Sequence, residues 1–233
     1  MTSGWSKPPV FLAPGDAAAF PDPEGFGPEG LVAVGGDLSP ARLLAAYAGG
    51  LFPWYDAESP PLWWSPDPRA HLPLDGLRVS RSLAKTLRRA DFELSWNRDF
   101  EGVMCACAQG RTDGTWILDE MRDAYVALHR RGAAHSLEVW RGEALVGGLY
   151  GVQVGGLFAA ESKFHRATDM SKVALVALVR SLRGAGMQLL DVQFVTDHLR
   201  TLGVTELRRR EYLRRLHVAR ELPLDLSDLV PAV

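Results

Sequence analysis

The chain has 233 residues, of which 47% are hydrophobic and 23% charged, and a formal net charge of −2. Such a length allows one large domain, or one domain with a smaller companion. The near-neutral charge excludes a polycation, so contact with nucleic acid needs a local basic patch.

Residues 1 to 74 are rich in proline, glycine and aromatics and predict a small, loop-rich first domain. The opening stretch is broken by prolines and lacks the apolar core of a signal peptide. Ser39 can cap a helix with Pro40 in its first turn and Gly49-Gly50 at its end. The segment FPWYDAESPPLWWSPDPR, residues 52–69, holds Trp54, Trp63, Trp64, Tyr55 and five prolines. A domain with little regular structure uses such rings and stiff turns to build a core. Trp63 and Trp64 are expected in that core or at a domain interface.

From residue 75 to 233 the periodicities sharpen. Ser80 caps a helix through Arg89, FELSW reads as a strand, and RDFEGVMCACAQG as a helix ended by Gly110. Cys105 and Cys107, two apart on that helix, point to different faces; a disulfide or metal pair is disfavoured, and small buried hydrophobes are expected. LDEMRDAYVALHRRG is a helix with acids first, bases last and Gly132 after it. HSLEVWR, ALVGGLYGVQV and GLFAAESKF read as three strands of an antiparallel meander. MSKVALVALVRSLRGAG is apolar nearly all round and predicts a buried helix. Its longest apolar run, Val173 to Val179, is far too short for a bilayer. QLLDVQF is a further strand and RREYLRRLHVARE a closing basic helix. The expected class is α+β with a mainly antiparallel sheet. The element order resembles acetyltransferase-type (GNAT-type) N-acyltransferases. A soluble, cytoplasmic, monomeric protein with no membrane contact is expected.

Phosphate loops, dinucleotide fingerprints, zinc spacings and serine-nucleophile elbows are all missing. The entry to the buried helix, FHRATDMSK, has no glycine with which to cradle a pyrophosphate. That speaks against a coenzyme A donor. No cofactor and no metal are expected.

Six blocks occur in one order: GLVAVGGDLSPARLLAAYAGGLFPWY, LWWSPDPRA, GTWI, AHSLEVWRGEALVGGLYGV, ESKFHRATDMSKVAL and LLDVQFVTDHLRTLGVTEL. Together they resemble the leucyl/phenylalanyl-tRNA–protein transferases of bacteria. The resemblance implies transfer of leucine or phenylalanine from aminoacyl-tRNA to the free α-amino group of proteins beginning with Arg or Lys, marking them for degradation. It also implies an acetyltransferase-like second domain. An aminoacyl ester is already activated and the nucleophile is a free amine, so positioning and stabilisation of a tetrahedral intermediate carry the chemistry.

The family's catalytic pair falls on Asp191 and Gln193, which i, i+2 spacing on a strand puts on one face. Gln193 is expected to accept from the attacking amine, with Asp191 fixing its rotamer. Glu161 matches the residue that binds the donor's amino group. Trp54 and Trp116 match donor-site tryptophans that would stack on the single-stranded end of the tRNA, with Tyr47 beside them. Leu149, Phe158, Lys163 and Leu175 fall on the donor side-chain pocket. Lys163 replaces the family's usual methionine in AESKF; two residues from Glu161, it is expected on the same strand face. It leaves three outcomes open: pairing with an acid, snorkelling out, or a changed donor. A non-catalytic binder of the tRNA end is the remaining alternative. Two basic runs are candidates for the tRNA backbone: Arg81, Lys85 and Arg88 in the first, Arg208, Arg209 and Arg214 in the second. Arg208 stands where the family commonly has proline.

Overall fold

The computed structural model describes residues 7–15, 19–109 and 117–233. Trp116, and the Gly110 expected to end a helix, lie outside the described residues.

A small sheet is built from β1 (Val10–Leu12), β2 (Leu31–Gly35), β3 (Phe52–Pro53) and β4 (Leu62–Trp64), in the order β1-β2-β4-β3. Between β2 and β3 runs α1 (Pro40–Ala48), with the Ser39 hydroxyl accepting from the Arg42 N–H at 3.4 Å. Trp63 is fully buried and its indole N–H donates to Gly35 O at 2.9 Å, which is why a tryptophan serves as a core residue there.

The large sheet has seven strands: β5 (Arg69–His71), β6 (Glu93–Trp96), β7 (Ala134–Arg141), β8 (Ala144–Val154), β9 (Leu157–His165), β10 (Leu189–Gln193) and β11 (Thr205–Leu207). Their order is β11-β5-β10-β9-β8-β7-β6, and every neighbouring pair is antiparallel except β10 with β9. β5, three residues long, was not anticipated. The chain thus enters the large sheet at Arg69, before residue 74.

Alternation along the meander feeds two cores. Leu137, Val139, Leu149 and Phe158 pack with α5 (Met170–Gly184) and with Leu83 of α2 (Arg81–Arg89). Tyr150, Val152 and Ala159 pack on the opposite side with α3 (Phe100–Ala108) and α4 (Asp119–His129). That second core continues without a break into Val32, Leu43, Leu51 and Trp63 of the small unit. The small unit is therefore a layer on the large sheet, joined through shared apolar surface. Two short helices of unlike character complete the chain, α6 (Asp197–Thr201) and the basic α7 (Arg209–Ala219). Among the described residues no helix is long and apolar enough to cross a membrane.

Candidate active site

The parallel pair β9 and β10 is hydrogen-bonded only from Leu157/Leu189 to Ala159/Asp191. Each strand then carries an extra residue. On β9, Gly151 pairs with Ala160 and Tyr150 with Ser162, so Glu161 is left over; on β10, Asp191 pairs with His71 and Gln193 with Ala70, so Val192 is left over. Bulges bend a strand and re-aim its side chains. Here they open a cleft beyond the last paired residues, and the Gln193 amide bridges it by donating to Glu161 Oε1 at 3.1 Å.

Between the separating strands lies a cavity of about 100 Å³ lined by Leu149, Ala160, Glu161, Ser162, Lys163, Leu175, Val192, Gln193 and Leu199. Of the four residues expected in a side-chain pocket, Leu149, Lys163 and Leu175 line it. Phe158 does not: it is fully buried in the core, its ring 6.2 Å from that of Trp96. Glu161 and Lys163 both line the cavity, but Glu161 does so from the unpaired position of the bulge. Lys163 pairs with Leu149, whereas Glu161 turns to Tyr125, whose hydroxyl donates to Glu161 Oε2 at 3.4 Å. The extra residue breaks the two-residue parity. His198 is lowered from its ordinary value by burial first and by the charge of Lys163 next.

Glu161 is the most perturbed acid at the site. Burial pushes its pKa up to about 8, although hydrogen bonds from Tyr47 and Tyr125 work against the rise. Tyr47 hydrogen-bonds the Tyr125 hydroxyl, and burial holds both phenols neutral, well above the usual tyrosine value. Tyr47 and Tyr125 thus hydrogen-bond each other and both face the Glu161 carboxyl.

The expected pairing of Asp191 with the Gln193 amide is not formed. The Asp191 carboxylate accepts from the Gln193 backbone N–H at 2.9 Å, and from Arg69 and Tyr212. Asp191 is fully buried and does not line the cavity. Gln193 has φ +56°, the left-handed region, so the parity argument that placed both side chains on one face fails at that residue.

Trp54 is 46% exposed, and its ring lies 5.6 Å from Phe194 and 6.1 Å from Trp64. Phe194, 41% exposed and next to Gln193, was missed by sequence reading. Its place directly after DVQ is the one available signal. The pair forms an open aromatic face adjoining Gln193.

Two family descriptions match the chain: Leucyl/phenylalanyl-tRNA protein transferase over residues 71–217, and the N-terminal domain of the same family over residues 36–67. The chain belongs to the leucyl/phenylalanyl-tRNA–protein transferase family. The two matched segments are separated by residues 68–70, which include the first two residues of β5. A leucyl/phenylalanyl-tRNA–protein transferase of Anaeromyxobacter sp. (strain K) is 54% identical over 92% of this chain and 93% of its own. Another, from Pseudoalteromonas atlantica, is 52% identical over 88% of each. Overlay on solved structures is loose: the structure of L-PGS from Bacillus licheniformis has 11% identity and a TM-score of 0.39, over 72% of this chain and 56% of that one.

The basic residues of this family member divide into three kinds. Arg81, Lys85 and Arg88 are exposed on one face of α2. Arg208 pairs with Asp67 at 3.1 Å, and Arg214 makes two 2.8 Å bonds to Glu211. Arg209 is a correction. It is buried, and its guanidinium donates to Gly27 O at 3.2 Å, Ser65 O at 2.6 Å and Phe26 O at 2.5 Å. It fastens α7 to the small unit and has no face left for a phosphate.

Proposed function

We propose that this protein moves leucine or phenylalanine from its tRNA onto the α-amino group of proteins that begin with Arg or Lys. The family membership supports the reaction class, and the observation that carries the site is the cleft between β9 and β10, bridged by Gln193 and Glu161. Parallel strands that part at their carboxyl ends on an acetyltransferase-like scaffold leave room for one acyl group and one amine.

The donor's side chain enters the cavity among Leu149, Ala160, Leu175, Val192 and Leu199. Its ammonium meets Glu161, whose burial makes an unpaired carboxylate costly and a cation beside it favourable. The terminal adenosine stacks on the Trp54–Phe194 face, and Arg81, Lys85 and Arg88 contact phosphates further along the tRNA. Donation of the Gln193 NH2 to Glu161 leaves Oε1 as an acceptor for the incoming amine. The amine nitrogen attacks the ester carbonyl carbon, the ester C–O bond breaks, and the ribose oxygen departs with the proton that the amine loses. Gln193 aligns the attack and receives the positive charge that develops on nitrogen.

Lys163 favours a second reading, because it lines the same cavity. A cation there disfavours an aliphatic donor and favours a polar or acidic one. A panel of charged tRNAs assayed against peptides with varied first residues decides between them. Transfer of Leu or Phe to Arg- and Lys-started peptides is the expected result. Transfer of only another amino acid moves the assignment to the second reading, and no transfer at all removes both.

A further inference from the structure

Arg69 stands at the start of β5, and its guanidinium is buried where the small unit, the large sheet and α7 meet. Its Nε and Nη2 donate to Asp191 Oδ1 and Oδ2 at 2.9 and 2.6 Å, and Nη1 donates to Gly50 O at 3.0 Å. The rings of Phe52 and Tyr212 each lie 4.6 Å from the guanidinium carbon. The Tyr212 hydroxyl adds a bond to Asp191 Oδ2 at 3.0 Å. A fork-shaped cation gripping both carboxylate oxygens fixes the carboxylate plane as well as its position.

That plane matters because of what the carboxylate does next. Asp191 Oδ1 receives the N–H of Gln193, two residues on, closing a side-chain turn around Val192. Gln193 is held at φ +56°, a conformation that a long side chain rarely adopts unaided. From that backbone its amide reaches Glu161. The bonds form one line from Gly50 to the mouth of the cleft, and neither Arg69 nor Tyr212 lines the cavity.

We infer that Arg69 and Tyr212 are positioning residues for the transfer step: through Asp191 they lock the left-handed backbone of Gln193 that aims its amide across the cleft, and through Gly50 Arg69 ties that lock to the small unit. The inference rests on the proposed role of Gln193 in transfer.

Tyr212→Phe tests it, because it removes one hydroxyl and keeps the ring. One bond to a buried carboxylate corresponds to a loss of about tenfold in kcat, with KM for aminoacyl-tRNA unchanged. In a Gln193→Ala background, read in single turnovers with enzyme in excess, the same substitution costs nothing further, since the two act as a unit. Hydrogen exchange at the Gln193 amide quickens in Tyr212→Phe and in Arg69→Lys, while exchange in the middle of α5 does not. Equal losses in both backgrounds, an unchanged kcat, or unchanged exchange at Gln193 would overturn the inference. A Gln193→Ala protein with wild-type kcat would instead overturn the role given to Gln193.

Discussion

Trp54 and Trp63 are near neighbours in sequence and opposite in duty. Trp63 has no exposed surface and donates its indole N–H inside the small unit; Trp54 leaves 46% of its surface open beside Phe194. Trp54→Ala should therefore weaken binding without unfolding the protein. Loss of one stacked base corresponds to ~1–3 kcal/mol, or roughly 5- to 150-fold in KM for aminoacyl-tRNA, with the melting temperature nearly unchanged. Steady-state kinetics and a thermal melt on one preparation check both halves. Glu161 makes a second prediction. Its folded pKa, about 8, lies above the ordinary value of 4.5. Between those values the folded state holds more protons than the unfolded one, so this residue's contribution to stability is full below pH 4.5 and is lost as pH rises through 8. Urea unfolding at pH 5.5 and pH 8.5 should show the wild type losing stability relative to Glu161→Gln at the higher pH. A constant difference between the two proteins would contradict the shift.

At the scale of elements, Arg208, Arg209 and Arg210 look alike in sequence, yet only Arg209 is swallowed by the seam between α7 and the small unit. Arg209→Ala strands two buried carbonyls, of Phe26 and Ser65, and a half-buried one, of Gly27, and should cost about 3 kcal/mol in denaturant unfolding. A protein that keeps its stability but binds tRNA poorly would return Arg209 to the tRNA surface. Elements with a strong period were legible: the three strands of the meander by two-residue alternation, α5 by its apolar run, α1 by Ser39 and Pro40. β5 and β11 have three residues each, too few for any period to register. The bulges at Glu161 and Val192 were hidden for another reason. One extra residue changes neither composition nor pattern, yet it flips every later side chain. Asp191, Gln193, Glu161 and Tyr47 were found by resemblance to a family. The partners that orient them, Arg69, Tyr125 and Tyr212, come from distant elements that only the fold brings together.

Across the whole molecule, one apolar core runs from Val32 and Trp63 of the small unit to Tyr125 and Tyr150 of the large one. Arg69 and Arg209 cross the same boundary. The two units should accordingly unfold in a single transition, with tryptophan fluorescence and far-UV circular dichroism giving the same urea midpoint. Two separate midpoints would make the small unit an independent domain. That union has a functional side: the aromatic face is mostly built by the small unit, the cavity by the large sheet, and Gln193 stands where they adjoin. The rate of transfer is therefore expected to depend on Gln193. The direct measurement is kcat for transfer of leucine from its tRNA to an Arg-started peptide by Gln193→Ala, with binding of the tRNA followed in parallel. A fall of roughly 100-fold or more in kcat is expected, as for loss of one preorganised polar group at a reacting centre, with tRNA affinity retained. A wild-type kcat in that variant would contradict it.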